Sequence, residues 1–169
     1  MRLDRLLRHA VATHWRTRMI FSARTLDAIE ETIGRAERAH GGEIRFAIET
    51  ALTPTQILGE LTPRARALQV FAQLGVWDTE ANNGVLIYVQ RADRSVEIVA
   101  DRGVAQRVAQ SEWDGVCRMM QEHFRAGRFK TGAVAGVEAV GALLARHFPA
   151  QGPRESAAGN QLPDRPTLL

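Results

Sequence analysis

Six side chains in this 169-residue sequence are of types that bind a cation or handle a phosphate group: Glu43, Asp78, Asn82, Asn83, Asp101 and Arg102. Carboxylate and amide oxygens held close together suit Ca²⁺ or Mg²⁺. Arg102 could clamp a phosphate oxygen, and a carboxylate beside it could orient water. Glu80 lies on the same loop as Asp78. Each residue also has an ordinary structural use. Asn82-Asn83-Gly84 is a good turn sequence whatever the function. Asp101 could cap the turn after its strand with Arg102 paired to it, and Glu43 could be an exposed strand end. These residues are far apart in the chain, so only the fold can gather them.

Sharper templates are missing. The sequence has no glycine-rich phosphate loop ending in Gly-Lys-Ser/Thr, no His-Glu-x-x-His and no Gly-x-Ser-x-Gly. Cys117 is the only cysteine, which rules out an intramolecular disulfide or a cysteine-built metal site. It stands at helical spacing with Trp113, Met120 and Phe124, as a buried small hydrophobe would. Aromatic residues make up 6% and interleave with no basic stripe, and the net charge is only +3. Both facts argue against nucleic acid as a partner. The basic residues are nearly all arginine, which reads as the usage of a GC-rich genome.

The elements that must position the six follow from periodicity. Val85–Val89 is apolar throughout, as in a strand covered on both faces. The next apolar run, Val96–Ala100, returns antiparallel across a short polar turn. Glu43–Glu49 alternates, with Ile44, Phe46 and Ile48 on one side and Glu43, Arg45 and Glu49 on the other, which predicts a half-buried strand. Helices are expected after Ser22, after Thr62-Pro63, after Ser111 and over Thr131–His147. If the Glu43 strand runs parallel to the Val85 strand, both begin at one rim, and the returning strand ends there. Glu43, Asn82, Asn83, Asp101 and Arg102 then converge, with Asp78 and Glu80 on the loop above. The expected fold class is α/β, a three-layer α/β/α sandwich with a small mixed sheet.

The expected organisation is an N-terminal amphipathic extension over 1–21, one domain over 22–149 and a disordered tail over 150–169. The extension puts Leu3, Leu6, Leu7, Ala10 and Val11 on one face, and Arg2, Asp4, Arg5, Arg8 and His9 on the other. Such a helix can lie on an anionic membrane, on its own domain or on a partner. The stripe is short and moderate, which favours the last two. The tail carries Pro153, Pro163 and Pro166 and few large apolar residues before its end. The N-terminus lacks the apolar block of a signal peptide, and no run of about 18 apolar residues is present. The expected location is cytoplasmic.

The stretch from Asn82-Asn83-Gly84-Val85-Leu86-Ile87-Tyr88-Val89 through Asp93 to Ala100-Asp101-Arg102-Gly103 resembles the TPM domain. That family includes the thylakoid lumen acid phosphatase type and photosystem II repair proteins. Phe124-Arg125-Ala126-Gly127-Arg128-Phe129 with Gly132 is similar to a second family stretch, and Gly42-Glu43-Ile44 to its first strand. The resemblance runs roughly from Ser22 to Phe148 and implies an α/β/α sandwich. Plant relatives are described as acid phosphatases, and some bacterial relatives as divalent-cation binders. Relatives are usually exported or membrane-anchored, and many have Gly-x-Gly where this chain has Ala100-Asp101-Arg102-Gly103. Short members without an anchor occur beside membrane-anchored relatives and LemA-type proteins. The first expectation is therefore an accessory or binding module working with a membrane-anchored TPM relative or a LemA-type protein. The alternative is a metal-assisted acid phosphatase. In it Glu43, Asp78, Asn82 and Asp101 would bind the metal, while Asp101, Arg102 and Asn83 would act on the phosphomonoester.

Overall fold

The computed structural model describes residues 2–149 and 160–169. Three helices open the chain: α1 Arg2–Val11, α2 His14–Ile20 and α3 Ala23–Glu37. Then come β1 Glu43–Glu49, α4 Pro54–Leu58, α5 Pro63–Gln73, β2 Gly84–Gln90 and β3 Ser95–Ala100. The chain continues through α6 Arg102–Ala105, α7 Gln110–Arg125, α8 Phe129–His147 and β4 Thr167–Leu168. The sheet order is β3-β2-β1-β4, with β1 parallel to β2 and β4, and β3 antiparallel to β2.

Alternation along the strands sorts side chains into two layers. Ile44, Phe46, Ile48, Val85, Ile87, Val96 and Ile98 pack against α3, α7 and α8 through Ile29, Ile33, Met120, Val137 and Leu144. Ala47, Leu86, Tyr88 and Val99 face the other way, onto Ala67 and Val70 of α5 and onto Leu162. The result is the α/β/α sandwich, with a mixed four-stranded sheet. At Thr62 the cap is as the sequence indicates: its hydroxyl accepts the Ala65 amide at 3.1 Å, ahead of Pro63.

Three expectations change. First, β1 is buried along its whole length, not on one face. Its polar side chains are covered because each finds a partner, as burial of charge requires. Glu49 takes a two-nitrogen grip from Arg66, with Nη2 at 2.8 Å, and accepts the Tyr88 hydroxyl.

Second, residues 160–169 are not a disordered tail; the part of that expectation covering 150–159 lies outside the described residues. Arg45 donates to the carbonyls of Pro163 and Arg165 and to the Thr167 hydroxyl. Leu169 donates its amide to the Ile48 carbonyl at 2.8 Å, so this segment adds an edge strand to β1.

Third, the N-terminal helix presents the opposite face to the domain from the one an apolar stripe suggests. His9 is buried, with Nδ1 accepting the Leu52 amide at 2.8 Å. Arg5 grips Asp93 of the β2–β3 turn and donates to the Leu61 carbonyl at 2.8 Å.

Candidate functional site

The rim forms as the strand directions require. Glu43 pairs with Gly84, and Val85 with Ala100. The Glu43 amide donates to the Asn83 carbonyl at 3.2 Å, the Asp101 amide to Gly84 at 2.8 Å and the Gly103 amide to Asn82 at 3.1 Å. Backbone from three distant segments is thus knitted together.

The side chains are not gathered so simply. Strand alternation sends neighbouring residues to opposite faces. Glu43 turns toward the α5 layer, where Oε2 accepts the Gln161 and Leu162 amides at 3.2 and 3.3 Å. Asn83 lies one step out of phase and donates through Nδ2 to the Gly41 carbonyl, while its own amide donates to Thr79 Oγ1 at 3.1 Å. Asp101 caps α6, its Oδ1 accepting the Arg102 amide at 2.6 Å. Gly84 stands between Glu43 and Asp101 in the cross-strand row, and the Val76 carbonyl fills the place of a side chain there. A Cβ on Gly84 would sit 2.0 Å from that oxygen.

Asp78, Asn82 and Arg102 are exposed, and Asn82 has a left-handed backbone, φ 50°. Among the described residues, Asn83 Oδ1 and Asp101 Oδ2 are buried oxygens without a hydrogen-bond partner. Also among the described residues, no three His, Cys, Asp or Glu side chains come together as a metal-holding cluster.

The other buried charges are structural in their geometry. Glu49 already has donors from Arg66 and Tyr88. Burial first, then the bond to Glu49, pushes the Tyr88 hydroxyl well above its ordinary pKa. Asp93 has Arg5 Nη2 at 2.6 Å, His9 Nε2 at 3.1 Å and Arg8 Nη2 at 3.8 Å. With His9 Nδ1 accepting from Leu52, the neutral ring carries its hydrogen on Nε2, toward Asp93. These contacts hold α1 down and leave His9 Nδ1 occupied by the Leu52 amide.

That anchoring has a consequence at the surface. Because α1 docks by its polar face, Leu3, Leu7 and Val11 point outward, followed on α2 by Trp15 and Met19. All five are between 57% and 72% exposed, at every fourth position. Leu58, on α4 beside α1, is 59% exposed. Arg8, Arg16 and Arg18 are exposed in the same segment. The sequence carries the spacing in full, but it does not reveal that Asp93 would claim the polar face.

The sequence profile of the TPM domain matches residues 17–143. The match runs from α2 into α8 and leaves out α1 and β4. The BA42 protein from the psychrophilic bacterium Bizionia argentinensis is similar in structure, with TM-score 0.69 and 31% identity over 88% of this chain and 94% of that one. The N-terminal domain of a protein from P. gingivalis shares the fold, with TM-score 0.59 and 20% identity over 78% of this chain and 82% of that one. No curated protein matches the chain.

Proposed function

Since the chain belongs to the TPM domain family, we propose that it is an accessory binding module that works on the surface of a negatively charged membrane. The reading is carried by the outward row Leu3, Leu7, Val11, Trp15 and Met19. Five large apolar side chains exposed between residues 3 and 19 are more than the scattered apolar residues of an ordinary surface. Covering a half-exposed side chain of this size gives roughly 1 kcal/mol or more, so the row supports reversible attachment. Each exposed arginine near an anionic headgroup layer adds about 1 kcal/mol, which favours an anionic over a neutral bilayer. Among the described residues no helix is long and apolar enough to cross a membrane. A layer-deep contact of amphipathic helices is what these two short helices can make.

The test is co-sedimentation with phosphatidylcholine vesicles, with and without phosphatidylglycerol. Binding is expected only to the anionic vesicles, weakening as salt screens the arginines. Leu7→Glu with Trp15→Glu should abolish it without lowering the melting temperature. Protein left in the supernatant with anionic vesicles sinks this reading. Capture only by membranes that contain an anchored TPM relative or a LemA-type protein would move the surface from lipid to that partner.

The alternative, a metal-assisted acid phosphatase, draws on the two rim oxygens without partners, Asn83 Oδ1 and Asp101 Oδ2. These are oxygen donors of the kind Ca²⁺ or Mg²⁺ takes. Hydrolysis of p-nitrophenyl phosphate that needs a divalent ion and disappears in Asp101→Ala would support it. Activity indifferent to that substitution removes the rim from the reaction.

A further inference from the structure

We propose that the cavity beyond the β2–β3 turn, at the end of the sheet opposite the rim, binds a phosphoryl group. The two ends are about 20 Å apart, the length of a seven-residue strand. The cavity holds about 450 Å³, the size of a small-ligand site. Its charged lining consists of Arg16 from α2, Arg91 and Arg94 from the turn and Arg125 from the end of α7, with no carboxylate among the described lining residues.

Four arginines around one space repel each other, and no carboxylate among the described lining residues answers them. The effect is visible at Arg91. Burial first, then the charge of Arg16, lowers its pKa from the usual arginine value. Arg91 is nevertheless held in place, its Nη1 donating to the Thr17 hydroxyl at 3.0 Å. The one carboxylate in the turn, Asp93, is occupied by Arg5, with Arg8 and His9 beside it, and does not line the cavity.

Gln90 and Ser95, direct cross-strand partners at the end of β2 and the start of β3, form the floor of the cavity by their place in the sheet. The Gln90 side chain is fully buried, its Oε1 accepting the Asp93 amide at 2.8 Å, which fixes the turn that carries Arg91 and Arg94.

Arg94 adds a sign of constraint, holding a left-handed backbone, φ 55°, that non-glycine residues rarely adopt. Phe124 and Phe129, stacked at 5.3 Å, give the cavity an apolar wall on which the body of a phosphomonoester can rest. Among the described lining residues no nucleophile has a base beside it, and the proposal is of binding alone.

The same phosphate could belong to a lipid headgroup or to a soluble compound, and two arms of one experiment distinguish them. Full-length protein is titrated calorimetrically with inorganic phosphate and with adenosine monophosphate. In parallel it is sedimented with vesicles carrying phosphatidic acid, whose headgroup is a phosphomonoester, or phosphatidylglycerol, whose phosphate is a diester.

Saturable binding of either soluble probe assigns a soluble ligand, and preference for phosphatidic acid over phosphatidylglycerol assigns a lipid. Both outcomes support the site if Arg91→Met and Arg94→Asn each weaken binding about tenfold, the loss of one charge-assisted contact. Arg94→Asn keeps a residue that tolerates the left-handed backbone, so its fold is retained if Arg91→Met does not hold. The site is overturned by absence of binding in every arm, or by binding that both variants leave unchanged. Leu7→Glu with Trp15→Glu should leave adenosine monophosphate binding intact, so failure of the apolar row and failure of this site read differently.

Discussion

Replacing Asp93 by alanine should release α1 from the domain while the sandwich stays folded. Asp93 receives three donor contacts from Arg5, between 2.6 and 3.2 Å, with His9 Nε2 at 3.1 Å. Its side chain is 8% exposed and that of Arg5 18%. Removing one partner of a fully buried ion pair costs about 3–5 kcal/mol, and the residual exposure of Arg5 brings the expected cost nearer to about 2–3 kcal/mol. That corresponds to a roughly 30- to 160-fold rise in the open population of the helix. Two further hydrogen bonds tie α1 down, Arg5 to the Leu61 carbonyl and the Leu52 amide to His9, while Leu3, Leu7 and Val11 point outward and Leu6 is half-buried. Hydrogen exchange should therefore accelerate over residues 3–11 and stay slow in β1 and β2.

The pH dependence has a definite sign. Burial alone would raise the Asp93 carboxyl pKa, but the hydrogen bonds from Arg5 and then His9, with the charge of Arg5, hold it below the usual range. A carboxylate with its pKa depressed in the folded state contributes stability above the unfolded value, about 3.9, and loses it as pH falls through the folded value. This contribution should be flat from about pH 8 to 5 and fade only below about pH 4. Unchanged exchange in Asp93→Ala would refute the reasoning, and so would an exchange rate in Asp93→Ala that still follows the wild-type acid profile.

Three other outcomes follow from local geometry. Gly84→Ala brings a methyl group to 2.0 Å from the Val76 carbonyl, so the urea midpoint should fall by the equivalent of about 3 kcal/mol or more. Arg45→Met removes donors to Pro163, Arg165 and Thr167. It should cost about 2–4 kcal/mol and speed exchange at Leu169, with the β1–β2 pair unaffected. The Cys117 thiol is pushed up to about 12, by burial and then by the charges of Glu97 and Asp114. At pH 8 that leaves roughly one thiol in 10⁴ ionised, so reaction with a thiol-specific disulfide reagent should be slow until the protein is unfolded.

Periodicity made most of the sandwich legible. Val85–Val89, the alternation in β1 and the Thr62-Pro63 start all carry their own local reasons, and these agree with the global fold. The meeting of Glu43, Asn83 and Asp101 backbones at one rim was also legible, because strand direction alone dictates it. Which side of the sheet each side chain takes depends on register, and one step separates Asn83 from Glu43.

The tail misleads because its prolines and polar residues resemble disorder, whereas its partner is a buried arginine more than a hundred positions away. Arg45, a charge in the middle of β1 between apolar Ile44 and Phe46, was the available signal. The docked polar face of α1 has the same origin. Amphipathic patterning assumes that apolar side chains go inward, and one buried carboxylate on a distant turn is enough to reverse it.

The two proposed surfaces meet on α2. Trp15 and Met19 lie on its outer side, Arg16 lines the cavity, and buried Thr17 accepts the hydrogen bond that positions Arg91. Seven residues therefore carry an apolar contact, a ligand-facing cation and the brace for another. A helix of that length is marginal by itself and owes its place to the packing of Thr17 and of Phe21 just beyond it. Phe21 stands edge-on to both Phe124 and Phe129, the pair that walls the cavity. Thr17 to Arg91 and Phe21 to the stacked rings thus tie α2 to the cavity at two points. Under the two proposals together, two weak attachments act at once: an apolar row that would seat without selecting, and an arginine-lined cavity that would select for a phosphate.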